Sequence, residues 1–270
     1  PQNALDPVYT VGDQLVETIG YHRDVSDETA RNEAVDLLDR VDIAKPANRL
    51  DDYPHELSGG MRQRVAIAMA LAGDPDVLVA DEPTADLDVT IEAQILDLLR
   101  ELQAERDLAI VYVTHDLGIV AGIADRVVVM YAGRVVERAD VDRLFDRPAH
   151  PYTQALLESL PGRGEMAPIS GQHPDPTDHP DGCRFHPRCP HAVSECSEGD
   201  RPEFHEAVGG TDVACVFYRP DRDSTVVAPD RSGGDRSISA VDAEPFDTVA
   251  SQSPADESTF RDDPGRGDDA

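Results

Sequence analysis

Two short constellations in this sequence carry the residue types of phosphate chemistry. The first is Leu57-Ser58-Gly59-Gly60-Met61-Arg62-Gln63-Arg64, a hydroxyl and two glycines at the head of a basic, amide-rich run. A glycine-rich helix start offers backbone N–H groups with no intrahelical acceptor, which suits an anion such as a phosphate. The second is Val77-Leu78-Val79-Ala80-Asp81-Glu82-Pro83, an apolar strand that ends in two carboxylates. Adjacent acids at a strand tip can hold a divalent metal and poise a water for attack. Together they read as machinery for handling a nucleotide.

The elements that must position these residues alternate between helix and strand. Ala30, Ala34, Leu37, Leu38 and Val41 recur at helical spacing behind Ser26 and Asp27, either of which can cap, and Pro46 is expected to end that helix. A second helix opens at Ser58 and runs through Val65, Ala68, Met69 and Ala72 to a stop at Gly73. Residues 77–80 then read as a buried strand. Ile91, Ile95, Leu98, Leu99 and Leu102 define a helix over 89–105, for which Asp88 is a suitable N-cap, and Ala109 to Val113 a second buried strand. Two more strands, Val127 to Met130 and Arg134 to Glu137, are joined through Ala132-Gly133 as a tight hairpin. The pattern predicts an α/β fold with a parallel sheet and a helical insert.

Composition narrows the partners. There are 54 acidic against 24 basic residues, a net charge of -30, and Lys45 is the single lysine. Such a field repels nucleic acid and anionic lipid, which argues against a DNA- or RNA-binding role. Acid excess with arginine in place of lysine fits a halophilic source, where salt screens self-repulsion; an ordinary acidic cytosolic protein is the plainer reading. No stretch approaches the roughly 18 uninterrupted apolar residues of a membrane span, and no signal-peptide pattern is present. Beyond Pro148 prolines and histidines crowd the chain and periodicity fades into a loop-rich module; beyond Pro220 the Asp, Ser, Gly and Pro content predicts a disordered acidic tail.

LSGGMRQR, VLVADEPTADLD and VYVTHD, in that order and spacing, resemble the ATP-binding subunit of ABC transporters. Asn3-Ala4-Leu5-Asp6-Pro7 and the segment from Pro148 to about Arg219 narrow the resemblance to the dipeptide/oligopeptide importer branch. The resemblance implies a partial P-loop NTPase core with four regions: a helical signature subdomain over 1–75, the C-terminal part of the ATPase core over 76–147, a transporter C-terminal domain over 148–220, and the tail over 221–270. It also implies that Ser58, Gly59, Gly60 and Met61 grip the γ-phosphate of ATP held by the other subunit of a head-to-tail dimer. Asp81 would hold Mg2+ through water, Glu82 would align the attacking water, and His115 would sense the γ-phosphate. Asp88 would communicate across the dimer. Plainer roles for the same residues are helix and loop caps, and for His115 a structural hydrogen bond. Ala85-Asp86-Leu87-Asp88 stands where the family more often has Ser-Ala-Leu-Asp, which adds a carboxylate at Asp86, and Met61 stands where many relatives carry glutamine.

The implied partners are a second ATPase subunit, identical or paralogous, two membrane permease subunits and, indirectly, an extracellular peptide-binding protein, with the chain peripheral at the cytoplasmic face. Nickel and sugar importers share these motifs, so the cargo is an alternative within the branch. A Walker A loop, Gly-x-x-x-x-Gly-Lys-Ser/Thr, does not occur: Lys45 follows Ala44. In family order that loop precedes Pro1, so the expectation is an N-terminally truncated chain that does not hydrolyse ATP in its own site. A fragment that only binds a partner or a metal is the alternative of another class.

Cys183, Cys189, Cys196 and Cys215, gathered in the loop-rich module, favour a metal site over disulfides in a reducing compartment. Their uneven spacing lacks paired Cys-x2-Cys knuckles, and Cys189-Pro190 echoes some cluster sites. A [4Fe–4S] cluster is the first reading, with Zn2+ and free or disulfide-bonded cysteines as alternatives. His173, His179, His186, His191 and His205 read as loop residues.

Overall fold

The computed structural model describes residues 4–160, 169, 171–207 and 209–227. Asn3 of the importer-type start and residues 228–270 of the expected tail lie outside them.

The first half of the chain is a helical layer built on α1 (Val11–His22), α2 (Asp27–Arg40), the short α3 (Pro46–Arg49) and α4 (Gly59–Leu71). Each of the three long helices starts on a side-chain cap. Thr10 and Asp13 form a reciprocal capping box, Ser26 accepts from Thr29 N–H at 3.2 Å, and Ser58 accepts from Met61 N–H at 3.2 Å. Helix α1 does not stand out in the sequence reading. It is held by Gln14, whose side chain accepts from Asp6 N–H and donates to the Asp6 and Tyr9 carbonyls, clamping the Leu5-Asp6-Pro7 segment.

Two helix ends differ from expectation. Pro46 does not end α2 but opens α3, since a proline at the first helical position sacrifices no intrahelical bond; α2 stops at Val41, where Asp42 turns left-handed (φ 55°). Likewise α4 is capped at Ala72, and Asp74 (φ 50°), not Gly73, takes the left-handed backbone.

Strands β1 (Val77–Asp81) and β2 (Ala109–Val113) pair in parallel, Asp81 opposite Val113, across the crossover helix α5 (Val89–Arg106). Leu78, Ile110 and Tyr112 face the main core with Leu15, Leu38, Val65, Ile95 and Leu99. The opposite face does not follow the expectation of buried strands: Val77, Val79, Val111 and Val113 are 53%, 65%, 49% and 46% exposed. Alternation puts all four valines on one side, and among the described residues no element packs over them.

After the short α6 (Leu117–Ile123), β3 (Arg126–Tyr131) and β4 (Arg134–Asp140) form an antiparallel hairpin with an irregularity at Val129/Met130. Its turn is the two-residue one expected, with both Ala132 (φ 47°) and Gly133 (φ 77°) left-handed. Helices α7 (Val141–Asp146) and α8 (Pro151–Glu158) follow, and the chain then adds β5 (His205–Ala207) and β6 (Thr211–Val213) to give the order β3-β4-β6-β5. This second sheet is antiparallel throughout, not part of one parallel sheet. The β4–β6 ladder, with Glu137 opposite Val213, crosses the expected boundary at 147/148.

The first residues of the segment expected as a tail from 221 are ordered. Ser224–Val226 make a 3-10 turn, and Val227 is fully buried, its carbonyl accepting from the Gln154 side chain. One buried valine in a polar run has no periodicity for a sequence pattern to register.

Candidate functional site

The carboxylate pair stands where β1 ends. Glu82 continues the ladder by donating its N–H to the Val113 carbonyl at 2.9 Å, and then turns left-handed (φ 45°), a conformation uncommon for a residue with a Cβ. That turn brings its Oε1 to 2.9 Å from His115 Nδ1 beyond the end of β2. The Glu82 hydrogen bond and then its charge raise the His115 pKa above its ordinary value. The imidazole is 85% exposed and the Glu82 side chain 45%. A base and an imidazole thus face solvent together at the carboxyl edge of the parallel pair, where α/β sheets place their ligand crevice.

Neighbouring residues hold this edge. Thr84 is buried with its hydroxyl 3.1 Å from the Tyr112 phenol, and burial raises the Tyr112 pKa. Asp116 Oδ1 accepts from Gly118 N–H at 2.7 Å and caps α6, so the carboxylate beside His115 acts on the backbone. Asp88 caps α5, accepting from Ile91 N–H at 3.2 Å, as its position predicts.

The Ser58 turn lies against that same stretch. A Cβ on Gly60 would meet Ile91 Cγ2 at 2.7 Å, below any tolerable contact, so packing of α4 on α5 excludes a side chain there. Gly59 is different: its nearest neighbours, Leu87 Cδ2 at 3.5 Å and Arg62 Nη2 at 3.9 Å, are ordinary contacts. The fold therefore demands the second glycine and leaves the first free for close approach from outside. The rest of the motif is structural. Gln63 is buried, Arg62 donates to the Leu57 carbonyl at 2.5 Å, and Arg64 to the Val41 carbonyl at 2.7 Å. Among the described residues no hydrogen bond joins Ser58 to Asp81 or Glu82, so the two constellations are not one pocket by such a link.

Residues 1–85 match the ABC transporter family, and residues 136–196 match the family described as the oligopeptide/dipeptide transporter C-terminal region. The dipeptide transport ATP-binding protein DppD of Escherichia coli (strain K12) is 48% identical over 225 residues, covering 82% of this chain and 68% of that protein. The chain belongs to the peptide-transport ATP-binding proteins of the ABC family. The oligopeptide transport ATP-binding protein AppD of Bacillus subtilis (strain 168) is 46% identical with the same coverage. A putative peptide import ATP-binding protein of Brucella abortus (strain 2308) is 48% identical over 200 residues, 73% of this chain and 60% of that one. Among solved structures, the dimeric ATP-binding cassette MJ0796 bound to ADP and Pi superposes with a TM-score of 0.46 at 30% identity, over 51% of this chain and 59% of that chain. No helix among the described residues of this ABC ATPase is long and apolar enough to cross a membrane.

In the importer-type C-terminal region, Cys183, Cys189, Cys196 and Cys215 are free and line one small cavity with His150, His186, Phe185 and Phe217. Burial raises the pKa of Cys183 and pushes Cys189 up to about 11 and Cys215 up to about 12, with mutual thiolate repulsion adding to it. Among the described residues no group of three or more His, Cys, Asp or Glu is placed to hold a metal ion, these four cysteines included.

Two residues here escape the sequence reading. Glu137 is fully buried, its two carboxylate oxygens accepting from Ala149 N–H and His150 N–H at 2.8 Å each, and burial raises its pKa. His150 is buried at the start of α8, where desolvation lowers its pKa to about 3. A carboxylate directly after Val135-Val136 was the available sign, but Arg138 follows it and nothing local names its partners.

Proposed function

We propose that this chain serves an ABC importer for dipeptides or oligopeptides by lending catalytic parts to two shared ATP sites in a head-to-tail pair of subunits. The observation that carries the reading is the Glu82–His115 pair at 2.9 Å beside Asp81, on the edge of a parallel strand pair. ATP with Mg2+ is the substrate, and its γ-phosphate is the charge to be recognised.

Ser58 organises the α4 turn by capping Met61, which leaves the first-turn N–H groups of Gly59 and Gly60 to face an anion. The open surroundings of Gly59 suit a phosphate brought by the partner subunit. Asp81, at the strand tip, holds Mg2+ through water, and Glu82 orients the attacking water. His115 exchanges its bond to Glu82 for one to the phosphate, so ligand arrival frees the base. Asp88 and Leu87, between the Ser58 turn and the carboxylate edge, carry the coupling across the dimer. Closure of the pair would shift two permease subunits, fed by an extracellular peptide-binding protein. The assembly sits at the cytoplasmic face of the membrane. With no Walker A lysine in these 270 residues, the chain by itself does not turn over ATP.

The complete gene product, reconstituted with its permease and Mg2+, tests this. Glu82→Gln should lower ATP turnover by about 100-fold or more while nucleotide binding persists. Turnover unchanged by that substitution would refute the assignment, and unchanged uptake of labelled peptides in a deletion strain would refute the cargo.

A second reading concerns the cysteines. Four thiols with no competing carboxylate on one cavity wall fit a soft, sulfur-rich group. Cys183, Cys189, Cys196 and Cys215 would hold a [4Fe–4S] cluster, with Zn2+ as the alternative. When bound, the cluster would crosslink the loops carrying these residues. Visible absorption and iron content of protein purified without oxygen check it, and a colourless, zinc-loaded sample would overturn it.

A further inference from the structure

Glu82 stands in backbone that the local sequence resists. Its φ of 45° lies in the left-handed region, and a residue before a proline is pushed towards extended backbone, so Pro83 disfavours the turn that Glu82 makes. A conformation strained in this way persists only where surrounding contacts over-determine it.

Those contacts come from β2. The Val113 carbonyl accepts from Glu82 N–H at 2.9 Å, and His115 Nδ1 lies 2.9 Å from Glu82 Oε1. A third contact falls two residues further along, where the Thr84 hydroxyl and the Tyr112 phenol share a hydrogen bond at 3.1 Å. Thr84 is buried and joins two turns: Ala85 N–H donates to the Glu82 carbonyl at 3.1 Å, and Leu87 N–H to the Thr84 carbonyl at 3.2 Å. Its side chain therefore pins the segment on which Glu82 turns.

Tyr112 is a firm anchor for that pin. It pairs with Ala80 in the parallel ladder, and its ring packs against the main core. A phenylalanine would satisfy the strand and the core equally. Among the described residues the phenol makes no hydrogen bond besides the one to Thr84, so its oxygen serves the turn.

We infer that Tyr112 is a positioning residue for ATP hydrolysis: by holding Thr84 it keeps the Glu82 carboxylate turned out beside His115, where it orients the attacking water. The inference rests on the proposed role of Glu82 and adds to it a group that acts from the core side of β2, through the turn.

Tyr112→Phe keeps the ring and removes the bond. In the complete gene product, reconstituted with its permease and Mg2+, it should lower kcat about 10-fold with KM for ATP unchanged, because a misplaced aligning group acts on the transition state and not on binding. Thr84→Val, which removes the hydroxyl at constant shape, should do the same, and Thr84→Ser should recover most of that loss. The Tyr112→Phe/Thr84→Val double variant should lose no more than either single one. In the 270-residue chain, a histidine NMR titration should place His115 closer to about 6.5 in Tyr112→Phe than in the wild type, since its bond to Glu82 loosens while Asp116, the other carboxylate acting on it, is unaltered. A Tyr112→Phe protein with wild-type kcat, a loss that falls on KM, additive losses in the double variant, or an unmoved His115 would each overturn the role of Tyr112 even where Glu82→Gln is impaired. Full turnover in Glu82→Gln would instead remove the proposed function itself, an outcome read from a different variant.

Discussion

Glu82 Oε1 and His115 Nδ1 meet at 2.9 Å across the ends of two parallel strands, just beyond Asp81 and Val113, the last pair of the register. The contact exists because Glu82 alone leaves the strand in left-handed backbone.

Because Glu82 raises the His115 pKa, the charged pair is fully formed below the ordinary histidine value of about 6.5 and dissolves as pH rises through the raised folded value. A histidine NMR titration should place His115 above 6.5, and Glu82→Gln should bring it back toward that value. An unshifted His115 in the wild type would show that the pair does not form in solution.

The two signature glycines should separate in a stability assay. Gly60→Ala drives a Cβ into the stiff Ile91 side chain and should cost about 1–3 kcal/mol, more than the roughly 1 kcal/mol gained in helix propensity. Gly59→Ala meets only ordinary contacts and should melt at or above wild type, while weakening nucleotide-dependent subunit closure. Equal melting of the two variants would contradict the packing argument.

Asp88 is a helix cap whatever else it does. Asp88→Ala should lose about 1 kcal/mol and Asp88→Asn should keep most of it, measured by denaturant unfolding. If both variants hydrolyse ATP normally in the complete protein, coupling through Asp88 is ruled out.

Glu137→Gln leaves one of two buried backbone N–H groups facing an amide instead of an oxygen. The expected loss is about 1–3 kcal/mol, with the start of α8 becoming open to hydrogen exchange at Ala149 and His150. Unchanged protection there would show that the carboxylate is not the clamp.

The open valine face gives a last expectation. The 270-residue chain by itself should self-associate as concentration rises, and Val79→Lys with Val111→Lys should reduce this without moving the core, since Leu78, Ile110 and Tyr112 face the other way. Sedimentation velocity reads the outcome, and association that persists in the double variant would place the contact elsewhere.

What the sequence determined by itself is local. The caps at Ser26, Ser58 and Asp88 follow from one side chain reaching three residues along the backbone, and the Ala132-Gly133 turn from the two-residue loop between its strands. The order of motifs likewise sufficed to place the chain among peptide-transport ATPases. Tertiary structure decided what depends on partners far along the chain. It set which face of β1 and β2 is covered, joined β6 to β4 across about 75 residues, and closed the Glu82–His115 contact over 33. It alone buried Glu137 and His150, and it gathered four unevenly spaced cysteines onto one wall. Hydrophobic periodicity reports only that a face is buried somewhere. Which groups meet there is settled by loop closure and packing, and these leave no mark on the spacing of neighbouring residues.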